Sequence, residues 1–320
     1  MRTYRAVQCA IIGAHHNNNP NASMKRLFAN PYLLLTLTAL FWSGNMVIGR
    51  GLREAVPPLA LAFWRWTIAL ALVLPFALPK LRNQWPTLRA HWRPMLALGV
   101  LGVGCYNTFA YIALQYTTAT NATLLNSFIP IATIALAFVL LGKRLTRSEA
   151  LGVAVSLVGV TSIVSHGEPA TLLALSLNTG DLWMLGAVLV WGLYTVGLQW
   201  RPQGLDPMVM LFAFTVIGLA ALAPFYAWEL AGGRSIDLHA GSLLGILYTG
   251  IFPGFLGYVF YNAGVAAVGP ARGALFIHLM PVFGTLLAAL FLGERPHGYH
   301  FVGIGLVFAG IFLTMQKRSR

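Results

Sequence analysis

Polar and aromatic side chains recur at helical spacing inside stretches otherwise built from Leu, Ala, Val and Ile. Asn45 follows Trp42 by three residues, Tyr111 follows Asn107 by four, and Asn126 stands between Thr123 and Pro130. Further along, Thr195 follows Trp191 by four, Tyr258 precedes Tyr261 and Asn262, and His278 lies three before Pro281. Residues three or four apart are neighbours on a helix face, so each set can present itself to a common cavity. Asn and Tyr reach both an ammonium and a carboxylate without carrying a fixed charge. Trp and Tyr rings add stacking on an apolar group and attraction to a cation, about 0.5–2 kcal/mol. Such a set suits a small metabolite of the amino-acid kind, and packing between helices is the competing reading for each member.

One charge enters this pattern. Arg65 is the sole ionised residue inside an apolar run. It is expected either to snorkel outward beside Glu54 or to hold a substrate carboxylate through two parallel hydrogen bonds. The acids Glu54, Glu149, Glu168, Asp181, Asp206, Glu229, Asp237 and Glu294 all read as loop or boundary residues. His278 is therefore the one titratable alternative near neutral pH. These features favour facilitated transport down a gradient, with proton coupling through His278 as the rival. Paired carboxylates, a metal cluster or an activated nucleophile, which an enzyme would need, are not seen at depth. No metal and no cofactor are expected. The lysines Lys25, Lys80, Lys143 and Lys317 lie between runs, which excludes a retinal-binding role.

The elements carrying these residues follow from composition. The chain has 320 residues, 58% hydrophobic and 9% charged, with a mean hydropathy of +0.71. Soluble domains carry about 25% charged residues, so an all-α polytopic membrane protein is the reading. The net charge of +13 is explained by basic residues between apolar runs, without nucleic acid as a partner. At about 20 residues per span, ten runs are legible: 31–49, 59–78, 94–115, 119–141, 149–165, 181–200, 208–228, 241–263, 271–292 and 299–316. Backbone groups find no water in the hydrocarbon, so the runs must be helices. Residues 1–23 read as an extension upstream of Met24, because their apolar stretch is short and no small-residue cleavage site follows. With the N-terminus inside, 16 of the 21 Lys and Arg fall on the inner side. Only Arg50, Arg53, Arg234 and Arg295 fall outside, so both termini are expected in the cytoplasm.

The runs repeat. An offset of 151 superposes Phe109 on Phe260, Leu124 on Leu275, Pro130 on Pro281, Arg144 on Arg295, Gly152 on Gly303 and Gly159 on Gly310. An offset of 149 superposes Trp42 on Trp191 and Pro58 on Pro207. The chain therefore divides into 24–165 and 181–320, joined by 166–180. Five spans per half is odd, so the second copy enters upside down, an inverted-topology repeat whose substrate site is expected near the midplane between the copies. Pro130 and Pro281 are expected to bend the fourth and ninth spans. Gly152 with Ser156, and Gly305 with Ala309, are expected to bring the fifth and tenth spans close as a scaffold.

Taken together, Phe41-Trp42-Ser43-Gly44-Asn45, Arg65 and the twice-occurring Leu-Gly-(Lys/Glu)-Arg resemble the drug/metabolite transporter superfamily, in its ten-span EamA-type branch. The resemblance covers about residues 30–316, and Lys143 fits the tetrapeptide less well than Glu294 does. The aromatic and Asn-rich spans further resemble bacterial aromatic amino-acid exporters. The resemblance implies export of small metabolites, aromatic or neutral amino acids first, by a monomer or weak homodimer of the bacterial inner membrane. A multidrug or hydrophobic-cation exporter is the alternative. A sugar-nucleotide or phosphate-ester carrier would need more intramembrane Lys or Arg than Arg65 alone. The expected partners are a small-molecule substrate and the lipid bilayer.

Overall fold

The structure, a computed structural model, describes residues 30–117, 119–165, 167, 168, 170, 178–292 and 297–315. Among them are ten helices long and apolar enough to cross a membrane. They are α1 (Pro31–Gly51), α2 (Pro58–Ala90), α3 (Trp92–Tyr116), α4 (Ala122–Leu141) and α5 (Arg147–Val164). The second set is α6 (Thr179–Trp200), α7 (Pro207–Ala231), α8 (Ala240–Val268), α9 (Pro270–Leu287) and α10 (Gly298–Met315). The upstream extension, the Glu294–Arg295 pair and the terminal Lys317-Arg318 lie outside the described residues.

Local chemistry sets the helix ends. The Thr146 hydroxyl accepts from the Glu149 N–H and the Glu149 carboxylate accepts from the Thr146 N–H, closing the start of α5. Asn178 and Asp181 do the same for α6. Gly142, at φ +62°, ends α4 in the left-handed conformation that glycine adopts without penalty. The α2 helix continues past its expected end at residue 78, through Pro79 and Pro86, to Ala90. The basic segment Lys80–Arg89 is therefore helical rather than a loop.

Contacts between the halves come in exchanged pairs. Helix α1 packs on α8 and α9, while α6 packs on α3 and α4. Gly99 of α3 lies against Ile217 and the Phe214 carbonyl of α7, and Gly250 of α8 lies against Ile68 and the Arg65 carbonyl of α2. These residues are mates under the offsets of 151 and 149. At the α5–α10 crossing, a Cβ on Gly152 would fall 2.5 Å from the Gly310 carbonyl oxygen, and one on Gly159 2.6 Å from that of Gly303. Position rises along one helix as it falls along the other, so the two are antiparallel and exchange contacts as mates. A two-fold axis across the helices produces this pattern, which fits the inverted-repeat reading. The expected small-residue stripe on α10 is corrected here. Gly305 and Ala309 face outward, and Gly303 and Gly310 make the close approach.

Four helices depart from regular α geometry at repeat-related places. In α3 the segment Val100–Cys105 is a π-helical turn, and in α8 so is Gly250–Leu256. Pro253 supplies no N–H within the second of these. Helix α4 is interrupted at residues 127–128, and α9 passes through a 3₁₀ turn at Phe276–His278. Pro130 and Pro281 were expected as mid-helix bends. Instead each sits in the first turn of the half-helix after the interruption, where a missing N–H costs nothing.

Candidate functional site

Where the halves meet, rings are in contact. Trp42 and its mate Trp191 stand edge to face with centroids 4.9 Å apart. Tyr261 lies 5.0 Å from Trp42 and 5.2 Å from Trp191, and Tyr258 lies 5.4 Å from Trp191. The Tyr261 hydroxyl gathers two predicted residues at once, the Trp191 indole N–H at 3.2 Å and the Thr195 hydroxyl at 2.9 Å. All of these side chains are buried, and they fill the space between α1, α6 and α8.

The π-turns feed this cluster. A π-turn shifts the i→i−4 ladder and can leave carbonyls without helical partners. The Gly102 carbonyl accepts from the Tyr258 hydroxyl across the repeat interface. Its mate, the Pro253 carbonyl, accepts from the Trp42 indole N–H at 3.1 Å, again across the interface. Tyr258 also accepts from Asn107 Nδ2 at 3.3 Å, and these two are themselves mates.

Arg65 points inward. It is 1% exposed, whereas Glu54 is exposed and pairs with Arg53 at 2.9 Å, so the snorkelling expectation is corrected. Arg65 Nη1 lies 2.9 Å from Asn45 Oδ1, 2.8 Å from Asn107 Oδ1 and 2.8 Å from the Tyr111 hydroxyl. Tyr111 donates in turn to Asn45 Oδ1 at 2.7 Å. The guanidinium carbon lies 5.4 Å from the Trp66 ring centre. A buried charge costs several kcal/mol unless neighbours replace its hydration, and these four side chains do so without a counter-ion. One nitrogen faces three oxygens while Nε has no hydrogen-bond partner among the described residues. No carboxylate lies within 4.0 Å of Arg65 among the described residues.

The second half builds the same node in other residues. The mate of Arg65 is Phe214, that of Asn45 is Tyr194, and that of Tyr111 is Asn262. Tyr194 donates to Asn262 Oδ1 at 2.7 Å, which is the Tyr111–Asn45 bond with its partners interchanged. Phe214 is buried against Tyr194, centroids 6.1 Å apart.

The remaining predicted residues lie to one side. Asn126 accepts from the Tyr106 hydroxyl at 3.2 Å, and Tyr106 in turn packs on Trp191 at 4.5 Å. His278 stands apart from the rings, between the interruptions of α4 and α9. Its Nε2 lies 2.7 Å from the Ser127 carbonyl and its Nδ1 2.5 Å from the Ser156 hydroxyl. A carbonyl only accepts, so Nε2 carries the proton and Nδ1 accepts from Ser156, which satisfies the neutral ring completely.

Four residues of this core were not among the expected ones: Tyr106, Tyr194, Phe214 and Trp66. Trp66 lies near the start of its apolar run, where an aromatic ring is expected to anchor at the interface, but it is buried on Tyr258 at 4.7 Å. Trp64, Trp183, Trp200 and Trp228 are exposed near helix ends, as anchors should be. Tyr194 and Phe214 were within reach of the 149 offset, had it been applied to Asn45 and Arg65.

The EamA-like transporter family model matches residues 30–165 and again 178–316, once per half. The chain belongs to that family. It is a multi-pass membrane protein of transporter type. It is 31% identical over 90% of its length to an uncharacterized transporter of Archaeoglobus fulgidus, covering 98% of that protein. It is 28% identical over 88% of its length to a protein of Streptantibioticus cattleyicolor named a probable terminal-alkyne amino-acid exporter, covering 92% of it. A solved crystal structure shares the fold, with a TM-score of 0.67 at 20% identity over 88% of this chain and 96% of that one.

Proposed function

We propose that this EamA-family protein exports small aromatic or neutral amino-acid-like metabolites, holding them between its two halves by alternating access. The observation that carries the reading is the juxtaposition of a buried guanidinium–amide node with the Trp42–Trp191–Tyr258–Tyr261 rings at the repeat interface. A polar head and an apolar ring each have a place there. In the described arrangement the rings fill the interface, so substrate enters as the halves part. The interruptions of α4 and α9 and the π-turns of α3 and α8 supply the joints, since each breaks the regular ladder and the π-turns bond directly to the rings. The Streptantibioticus relative, by its name, points to amino-acid export. The basic residues between spans support placement in a bacterial inner membrane with both termini in the cytoplasm. A buried Arg65 weighs against hydrophobic cations as cargo.

The test is uptake by purified protein in liposomes of labelled Phe, Trp, Thr, Met and tetraphenylphosphonium. Faster entry of Phe or Trp than into empty vesicles is expected. Carriage of the cation alone sinks the reading. His278→Ala separates the two energetic modes. Because the ring is satisfied while neutral, its rate is expected to keep the wild-type pH profile, and a flattened profile would establish proton coupling.

A further inference from the structure

We infer that the Arg65 node is a site for a single carboxylate, and that the preferred cargo is a net-anionic aromatic or long apolar acid rather than a zwitterion. The inference rests on the proposed site between the halves and revises its preferred cargo from a zwitterion to a monoanion, with amino acids as weaker ligands of the same site.

The charge inventory is the first ground. Arg65 is the only charged side chain among the buried residues of the ring cluster. The two buried acids of the described residues stand at the bundle ends and are already engaged. Asp181 accepts from the Thr117 hydroxyl at 2.6 Å, and Glu229 accepts from the backbone N–H groups of Leu59 and Ala60. An ammonium group entering beside Arg65 therefore meets no anion and sits within a few ångströms of a like charge. A zwitterion leaves the buried charge of the site unchanged, whereas a monocarboxylate cancels it.

The second ground is donor geometry. Nη1 is shared among three oxygens and Nε has no acceptor among the described residues. A guanidinium offers a planar fork, and its unsatisfied Nε edge is closed over by Gly254, where an added Cβ would stand 3.5 Å from Nε and 2.9 Å from the Thr249 carbonyl oxygen, so the edge is reached only as the halves part. A carboxylate oxygen is the group that completes such an edge.

The third ground is the mate position. Phe214 occupies the place of Arg65 in the second half, and the Tyr194 hydroxyl beside it is committed to Asn262. A molecule spanning the two nodes thus meets a cation at one end and a ring at the other. A second carboxylate would find no free cation there.

Isothermal titration of the full-length protein in nanodiscs, at neutral pH, tests this with four ligands sharing one ring: 3-phenylpropionate, L-phenylalanine, 2-phenethylamine and phenylsuccinate. The expected order places 3-phenylpropionate about tenfold or more tighter than phenylalanine, with phenethylamine and phenylsuccinate weakest. Arg65→Gln should bring 3-phenylpropionate down to the phenylalanine level, and Arg65→Lys should restore part of the difference. Phenylalanine binding as tightly as 3-phenylpropionate overturns the inference while leaving amino-acid export standing. Phenylsuccinate as the tightest ligand also overturns it. Binding of none of the four overturns it together with the proposed function. Should both Arg65 variants fail to fold, the wild-type ligand order decides alone.

Discussion

The two halves place the same backbone geometry around different chemistry. In the first, α1, α2 and α3 converge through Asn45, Arg65 and Tyr111. In the second, α6, α7 and α8 converge through Tyr194, Phe214 and Asn262. The side-chain bond survives with donor and acceptor interchanged, but the charge exists on one side only. By contrast, the α5–α10 crossing is symmetric down to the glycine, because close backbone approach tolerates one residue type on both sides. Duplication therefore sets shape in both copies, while the side chains at the node differ between them.

The comparison is broken most severely at the symmetric pair. Gly159→Val should destabilise the protein by about 3 kcal/mol or more, since its Cβ meets the Gly303 carbonyl oxygen at 2.6 Å and backbone cannot yield as a side chain does. Gly305→Val, which meets nothing within 4 Å, should leave the melting temperature within a few degrees of wild type. Thermal unfolding in detergent measures both. If the two variants melt together, the close-packed crossing is not the scaffold.

Next in size is the asymmetric pair. Arg65→Gln should weaken binding of a carboxylate ligand by about 1.5–3 kcal/mol, the range for hydrogen bonds to charged groups. Phe214→Arg sharpens the contrast, because Tyr194 and Asn262 already stand where Asn45 and Tyr111 stand around Arg65. That variant should gain affinity for phenylsuccinate in titration, and its failure to do so while folded would show that the nodes are not functional equivalents.

Helix ends offer a smaller contrast. The start of α2 has Pro57 as its cap, which has no acceptor side chain, so Glu229 of α7 reaches across to the Leu59 and Ala60 N–H groups at 3.3 and 2.8 Å. The start of α7 is capped by its own Asp206, which takes the Met208 N–H at 2.9 Å. Glu229→Ala should cost about 1–2 kcal/mol, as for a lost helix cap, again read by thermal unfolding.

The smallest effect concerns Asp206 and Lys80, 2.6 Å apart. Partial burial pushes the Asp206 carboxyl up, but the Lys80 hydrogen bond and the N–H groups of Met208 and Val209 outweigh it and hold it below the ordinary carboxylate range. The pair's contribution is thus full above the unfolded value of about 3.9 and is lost as pH falls through the folded one. Lys80→Gln should lower stability by under about 1 kcal/mol at neutral pH and reduce the acid-side slope of melting temperature against pH. An unchanged slope would remove Lys80 as the cause.

Much of this site was legible along the chain. Asn45 three after Trp42, Tyr111 four after Asn107 and Thr195 four after Trp191 all fell on inward faces. Helical periodicity is a local property, so it reports which residues share a face. It does not report what that face meets. Hence Trp66, which looked like an interfacial ring, proved buried on Tyr258, and Arg65 turned from Glu54 toward Asn45 and Asn107. The choice between Gly303–Gly310 and Gly305–Ala309 was equally invisible, since both stripes have small residues and only one has a neighbouring helix.

Composition and periodicity were enough to establish a ten-helix membrane protein, its internal duplication and the residue types gathered at its centre, because hydrocarbon admits only helices and duplicated segments keep their Pro and Gly in register. The π-turns, the joints ahead of Pro130 and Pro281, the isolation of His278 and the inward turn of Arg65 emerged only from the assembled bundle. They depend on atoms far apart in sequence, 20 to 46 residues around Arg65 and 151 for Ser127 with His278 or Asn107 with Tyr258, and such pairings exist only once the helices close on one another.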